Sequence, residues 1–283
     1  MKRIFLLPFL TVCFISADCF KFDRPVTAVE ASLLALDSIY GNYWIRITKV
    51  LPTKQGAAIP EPYFVSNAKV IVTAPDGTAY PFLYNEIEDD KTAYRKFYGT
   101  YTAKPFRLLN KGEYKLTIEH EGSIYTSTAE MSVKPTIIRQ SVKLSSSSTS
   151  TTYTATLVFR DIEGEDDYYF GVLKYRTRWS LSDSIYRSPT FSNSVQIQDG
   201  REFPIAFLHR PVLLQKDTLW LHLVHVSSQR GKIEASFSTL GSNPFQPPPA
   251  FPRTNIKNIT NPDTRCIGYF SIDNFSTVYY VRE

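Results

Sequence analysis

This chain is poor in the residues that redox, metal and nucleotide chemistry use. Its 283 residues include three Cys, four His, two Met and only 12 Gly. It contains no G-x-S-x-G, no H-E-x-x-H and no glycine-rich phosphate loop. Any Ser, His and Asp trio has to be assembled by free choice, so neither enzymatic activity nor a cofactor is expected. No second long apolar run follows the first, which excludes a polytopic helical membrane protein. Lys and Arg number 32 against 27 Asp and Glu, with no basic stripe, so no nucleic-acid partner is expected.

What is abundant points to strands and turns. The chain carries 18 Tyr, 19 Phe and 18 Pro, a composition that favours pleated, half-buried surfaces over helix bundles. Its 14% aromatic content also excludes a disordered chain.

The first residues read as an address. Met1-Lys2-Arg3 is a basic start, Ile4 to Ile15 an apolar core, and Ser16-Ala17-Asp18 leads to Cys19, the order of a secretory signal. Cys19 stands where a bacterial lipoprotein signal places its lipid-bearing cysteine. Three outcomes stay open: lipidation at Cys19, cleavage without lipid, or a Cys19–Cys266 disulfide, which an exported compartment permits. The expected division is 1–18 signal peptide, 19–24 tether, 25–134 a first β-sandwich, and 135–283 a second β-rich domain.

Strand periodicity carries this division. Trp44-Ile45-Arg46-Ile47-Thr48 alternates, Val70, Val72 and Ala74 share a face, and Tyr114, Leu116, Ile118 and His120 share another. Pro75-Asp76-Gly77-Thr78 and Glu121-Gly122 are turn signals. In the second part, Ile137–Leu144, Tyr153–Phe159, Tyr168–Trp179 and Leu219–Val226 read as strands, with Ser145–Thr152 as a hairpin loop. Cys266–Ser271 and Thr277–Val281 read as two closing strands. Ile233, Phe237 and Leu240 fall at helical spacing before Gly241, which predicts one short helix within 228–240.

Candidate sites are few. His222 and His225 lie three apart on a strand, hence on opposite faces, and cannot chelate together. Asp161, Glu163, Glu165 and Asp167 form an acidic loop, a weak calcium candidate that reads better as a solvated turn. The aromatic pair Tyr168 and Tyr169, and Phe245 and Phe251 in the Pro-rich stretch Asn243–Pro252, are the candidate binding residues. Asn258-Ile259-Thr260 and Asn274-Phe275-Ser276 match short glycosylation sequons.

Several of these pieces occur together in a known family. Phe159-Arg160-Asp161 through Asp167-Tyr168-Tyr169 resembles a stretch of a Bacteroidota lipoprotein family, that of the domain of unknown function 4249. So do Gly241-Ser242-Asn243-Pro244-Phe245 with Pro247-Pro248-Pro249, Asn258-Ile259, and Gly268-Tyr269-Phe270. In the first half, Val29-Glu30-Ala31, Tyr43-Trp44-Ile45-Arg46-Ile47, and Asn67-Ala68-Lys69-Val70 before Asp76-Gly77 fit as well. The resemblance implies a lipoprotein of the outer membrane, held at the cell surface through Cys19, with an immunoglobulin-like first domain. It also implies partnership with a TonB-dependent outer-membrane barrel, aiding substrate capture or gating for an unknown substrate. It carries no catalytic residues. The alternative expectation is a stand-alone structural or adhesive surface module binding glycans or proteins.

Overall fold

The computed structural model describes residues 26–34, 43–50, 63–85, 99–146, 151–164, 167–176, 184–193, 200–209, 218–233, 254–264 and 266–281. The fold is mainly β with one short helix. The first half contributes β1 (Val26–Leu34), β2 (Tyr43–Val50), β3 (Tyr63–Phe64), β4 (Lys69–Thr73), β5 (Ala79–Asn85), β6 (Thr100–Ala103), β7 (Glu113–His120) and β8 (Ser123–Glu130). The second contributes β9 (Thr136–Ser146), β10 (Thr151–Arg160), β11 (Tyr168–Arg176), β12 (Ser184–Asn193), β13 (Glu202–His209), β14 (Thr218–Val226), β15 (Lys257–Asn258) and β16 (Cys266–Val281). Residues 228–233 form the helix α1.

A large sheet runs β12-β11-β14-β16-β1-β2-β6-β5-β4-β7-β8-β15, with β3 on β2, and a second sheet runs β13-β10-β9. Hairpin chemistry explains the local pairings. The Pro75-Asp76-Gly77-Thr78 turn joins β4 to β5, with Gly77 at φ 85° and the Asp76 carboxylate accepting from the Thr78 amide at 2.9 Å. Glu121 and Gly122 both adopt positive φ, as the two-residue turn between β7 and β8 demands. β9 and β10 pair antiparallel up to Ser146 and Thr151, and 147–150 lie outside the described residues.

The large sheet curls on itself. Beyond β8, Met131 bridges Ile272 of β16, and the Ser132 amide donates to the Ile272 carbonyl at 2.9 Å. The curl encloses one core of Val29, Leu33, Ile45, Ile47, Val72, Leu116, Ile118 and Phe270, to which Ile256 and Cys266 also belong. This is a β-sandwich, as the alternation predicts. Buried tyrosines tie its loops down: the Tyr43 hydroxyl donates to the Phe106 carbonyl, and that of Tyr101 to the Val65 carbonyl, both at 2.9 Å.

A second core lies between the small sheet and one face of β11 and β14, with Leu157, Phe159, Ile205, Tyr169, Leu173 and Leu221. A third covers the opposite face with Phe170, Val172, Val224, Val226, Tyr168 and Leu34. Burial on both faces explains why β14 reads as a nearly continuous apolar run.

One expectation needs correction. The predicted closing strands are one strand, β16. Its Cys266–Asp273 portion pairs in parallel with β1, and its Asn274–Val281 portion pairs antiparallel with β14. The intervening Ile272–Ser276 segment lacks clean alternation because its partners change there. The helix is described over 228–233 only, and 234–240 lies outside the described residues. Gly231, a poor helix former, is required by packing, since a Cβ there would lie 2.0 Å from the Tyr168 ring.

Candidate functional site

The sequence-derived candidates divide sharply. Cys19, Phe245, Phe251 and Glu165 lie outside the described residues. Tyr168 and Tyr169 are buried in two different cores, so neither ring is presented to a ligand. The acidic turn is a correction too. Asp161 and Asp167 are buried, and only Glu163 of the described members faces solvent. Among the described residues, no group of three His, Cys, Asp or Glu is placed to hold a metal.

Asp167 is committed to its neighbours. One carboxylate oxygen lies 2.6 Å from His225 Nε2, and the other accepts from the Tyr169 hydroxyl at 3.0 Å. The imidazole stacks on Tyr169 with centroids 5.0 Å apart, and its Nδ1 lies 2.8 Å from the Val133 carbonyl. His222, three residues earlier, points to the other face and meets Thr277 Oγ1 at 2.7 Å. The two histidines therefore do not converge, as strand geometry requires.

Burial by itself pushes the His225 imidazole down. The hydrogen bond and charge of Asp167, with the Val133 carbonyl and Asp273 adding to them, outweigh burial and raise its pKa above the ordinary 6.5. A raised pKa stabilises the folded state fully below the unfolded value of 6.5 and loses that contribution as pH climbs through the folded value. His120 acts in the opposite sense, since burial lowers its pKa. We expect the urea midpoint to fall from about pH 6 to about pH 9 by more in wild type than in Asp167→Asn. Equal slopes in the two proteins would show that this pair does not set the pH dependence.

A second polar cluster was not legible in the sequence. Arg230 of α1 is buried against Asp273 of β16 and donates to it and to Ser32 Oγ of β1, the latter at 2.7 Å. Ser32 donates to the same carboxylate at 2.6 Å, and Ser271 donates to its other oxygen at 2.8 Å. The guanidinium lies 5.2 Å from the Phe170 ring and 5.6 Å from that of Tyr269. This cluster sits where β16 changes partners and joins residues up to 241 positions apart.

Cys266 is a free thiol, buried beside β1, and burial pushes its pKa up to about 12. A thiol so held is a poor nucleophile. The sequon asparagines are engaged as well: Asn258 Oδ1 accepts from the Thr260 and Asn261 amides, and Asn274 Nδ2 donates to the Ser132 carbonyl.

One concave feature among the described residues lies at the end of the sandwich where the chain enters β1. A pocket of about 450 Å³ is walled by Lys49 at the end of β2, Phe64 of β3, Ser66 and Asn67. Val65, His120 and Glu121 complete it, the last two from the end of β7 and its turn. Lys49 Nζ donates to Glu121 Oε2 at 2.6 Å. His120 is buried with no hydrogen-bond partner at either ring nitrogen, and Glu121 Oε2 stands 3.6 Å from its Nε2. Burial pushes this imidazole below 6.5, with Glu121 opposing and Lys49 reinforcing the shift. The sequence placed His120 on the inward face, but nothing in it indicated that β2 and β3 meet it there.

The fold and these clusters define a mainly β protein of two sheets, with buried ionic pairs inside and an open pocket at one end. The sequence profile named Domain of unknown function (DUF4249) matches residues 29–277, and the chain belongs to that family. No curated protein matches it. Solved structures similar to it include the following two. One is a cytokine receptor complex, at 8% identity over 70% of this chain and 82% of that one, with a TM-score of 0.20. The other is bovine butyrophilin, at 10% identity over 70% of this chain and 91% of that one, also at 0.20.

Proposed function

We propose that the protein is a surface lipoprotein of the outer membrane that serves a TonB-dependent barrel as an accessory subunit, aiding substrate capture or gating. The observation that carries this reading is the short reach between anchor and body. Seven positions separate Cys19 from Val26, where β1 begins at the centre of the large sheet. At about 3.5 Å per residue the body stays within roughly 25 Å of the lipid. Such confinement raises the effective concentration of a membrane partner without any new contact. More than one acyl chain on the cysteine makes the attachment firm. No described helix is long and apolar enough to cross a membrane, so in this reading the lipid supplies the attachment.

Affinity purification from native membranes with a tag at Glu283 tests the proposal. The expected result is recovery of one outer-membrane barrel, reduced at least severalfold by Cys19→Ala. Wild-type protein in the membrane fraction with no barrel recovered would instead support a stand-alone surface module. Equal membrane retention of Cys19→Ala and wild type would remove the anchor from the account.

A further inference from the structure

We infer that the pocket beside His120 is a binding site for a neutral, polyhydroxylated group of saccharide size. The inference rests on the proposed role as a binding subunit, but on no part of its anchoring. Charge decides the ligand class first. Lys49 and Glu121 neutralise each other at 2.6 Å, and the lowered pKa of His120 keeps its imidazole neutral at physiological pH. The pocket therefore offers no net charge to a phosphate, a carboxylate or an ammonium group.

Hydrogen bonding narrows the class further. Part of the backbone at the wall is already committed. The Val65 amide donates to the Ile47 carbonyl, the Val65 carbonyl accepts from Tyr101, and the neighbouring Ala68 amide donates to the Tyr101 hydroxyl. The side chains carry the recognition in this site. His120 holds one donor and one acceptor unused, although buried polar groups without partners are rare and costly. The exposed Asn67 amide and Ser66 hydroxyl likewise both donate and accept. Sugar hydroxyls match such a mixed set, because each also donates and accepts.

The apolar wall fits the same class. Phe64 presents a ring beside these polar groups, and the ring lies where a side chain at Gly99 would stand, since a Cβ there would be 2.5 Å from it. A ring stacks on the C–H face of a pyranose while the rim binds its hydroxyls. Glu121 borders the imidazole: its side chain is 61% exposed and its Oε2 stands 3.6 Å from His120 Nε2, beyond hydrogen-bond distance. A ligand hydroxyl that reaches the imidazole gains it as a partner while the Lys49–Glu121 pair stays closed. At about 450 Å³ the pocket falls within the range of small-ligand sites.

Two sources share this chemistry, a free saccharide and a sugar displayed on the membrane surface. The test uses the full mature chain with Cys19→Ala, so that no sugar-headed detergent is present. Glucose, maltose and N-acetylglucosamine are titrated in one arm. Phosphatidylethanolamine vesicles with and without lipopolysaccharide are titrated in the other. The imidazole ¹⁵N signal of His120, assigned by comparison with His120→Asn, is the readout. A saturable shift is expected, weakened roughly tenfold by Asn67→Ala, whose exposed site leaves folding intact. A shift with soluble saccharide identifies the free source, and one only with lipopolysaccharide vesicles the displayed source. No shift in either arm overturns the inference, as does binding that survives both Asn67→Ala and Phe64→Ala. A protein that co-purifies with a barrel yet shows no shift refutes this site alone. A shift without any barrel partner leaves the site standing and removes the transporter.

Discussion

Replacing Asp273 with alanine is expected to lower the thermal midpoint by roughly 10 °C, from a loss of about 3–5 kcal/mol. Asp273 is fully buried and takes hydrogen bonds from Arg230, Ser32 and Ser271. Without it the guanidinium of Arg230, itself buried, keeps its charge and loses its carboxylate. The attraction lost is large because no water replaces it, whereas exposed pairs such as Lys69 with Glu119 are worth little. The companion variant Arg230→Met with Asp273→Asn removes both charges and is expected to recover most of the loss. Calorimetry on the three proteins decides the matter. A single variant within 1 kcal/mol of wild type, or a double variant no better than the single, would show that the pair does not pin the sheet.

The second large effect is expected at Gly268. Its φ is 122°, and a Cβ would stand 1.8 Å from the Val29 carbonyl oxygen, where β16 and β1 pair in parallel. The obstacle is backbone in the middle of the sheet, so no side chain can turn aside to relieve it. Gly268→Ala is expected to cost roughly 3 kcal/mol or more, from the unfavourable dihedral together with displacement of the strand. Gly77 provides the control, with φ 85° and nothing within 4 Å of the added carbon. Gly77→Ala carries the dihedral cost alone, about 1 kcal/mol. Urea unfolding of both variants measures the difference, and equal losses would mean that β1 does not approach β16 so closely.

Gly268 also shows how far a motif can be read without a structure. As part of Gly268-Tyr269-Phe270 it marked the family resemblance, but its physical reason is a contact with a residue 239 positions earlier. Gly231 is similar: within a helical pattern it reads as a weakness, and packing against Tyr168 makes it a requirement. The acidic turn before β11 misled for the converse reason. Five carboxylates in seven residues read as solvated, and nothing local shows that His225 and Tyr169 will enclose Asp167.

The chain's own pattern therefore determined its class: a mainly β protein with a signal-like start, hairpins at Asp76-Gly77 and Glu121-Gly122, and inward faces such as Tyr114 to His120. These follow from strand alternation and turn dihedrals, which depend on neighbours a few residues apart. Only the tertiary structure decided that β16 is shared between β1 and β14, that Arg230 meets Asp273 and Ser32, and that Lys49, Phe64 and His120 face one pocket. Each of these joins segments far apart in sequence, and their burial and charge pairing have no local periodicity to announce them.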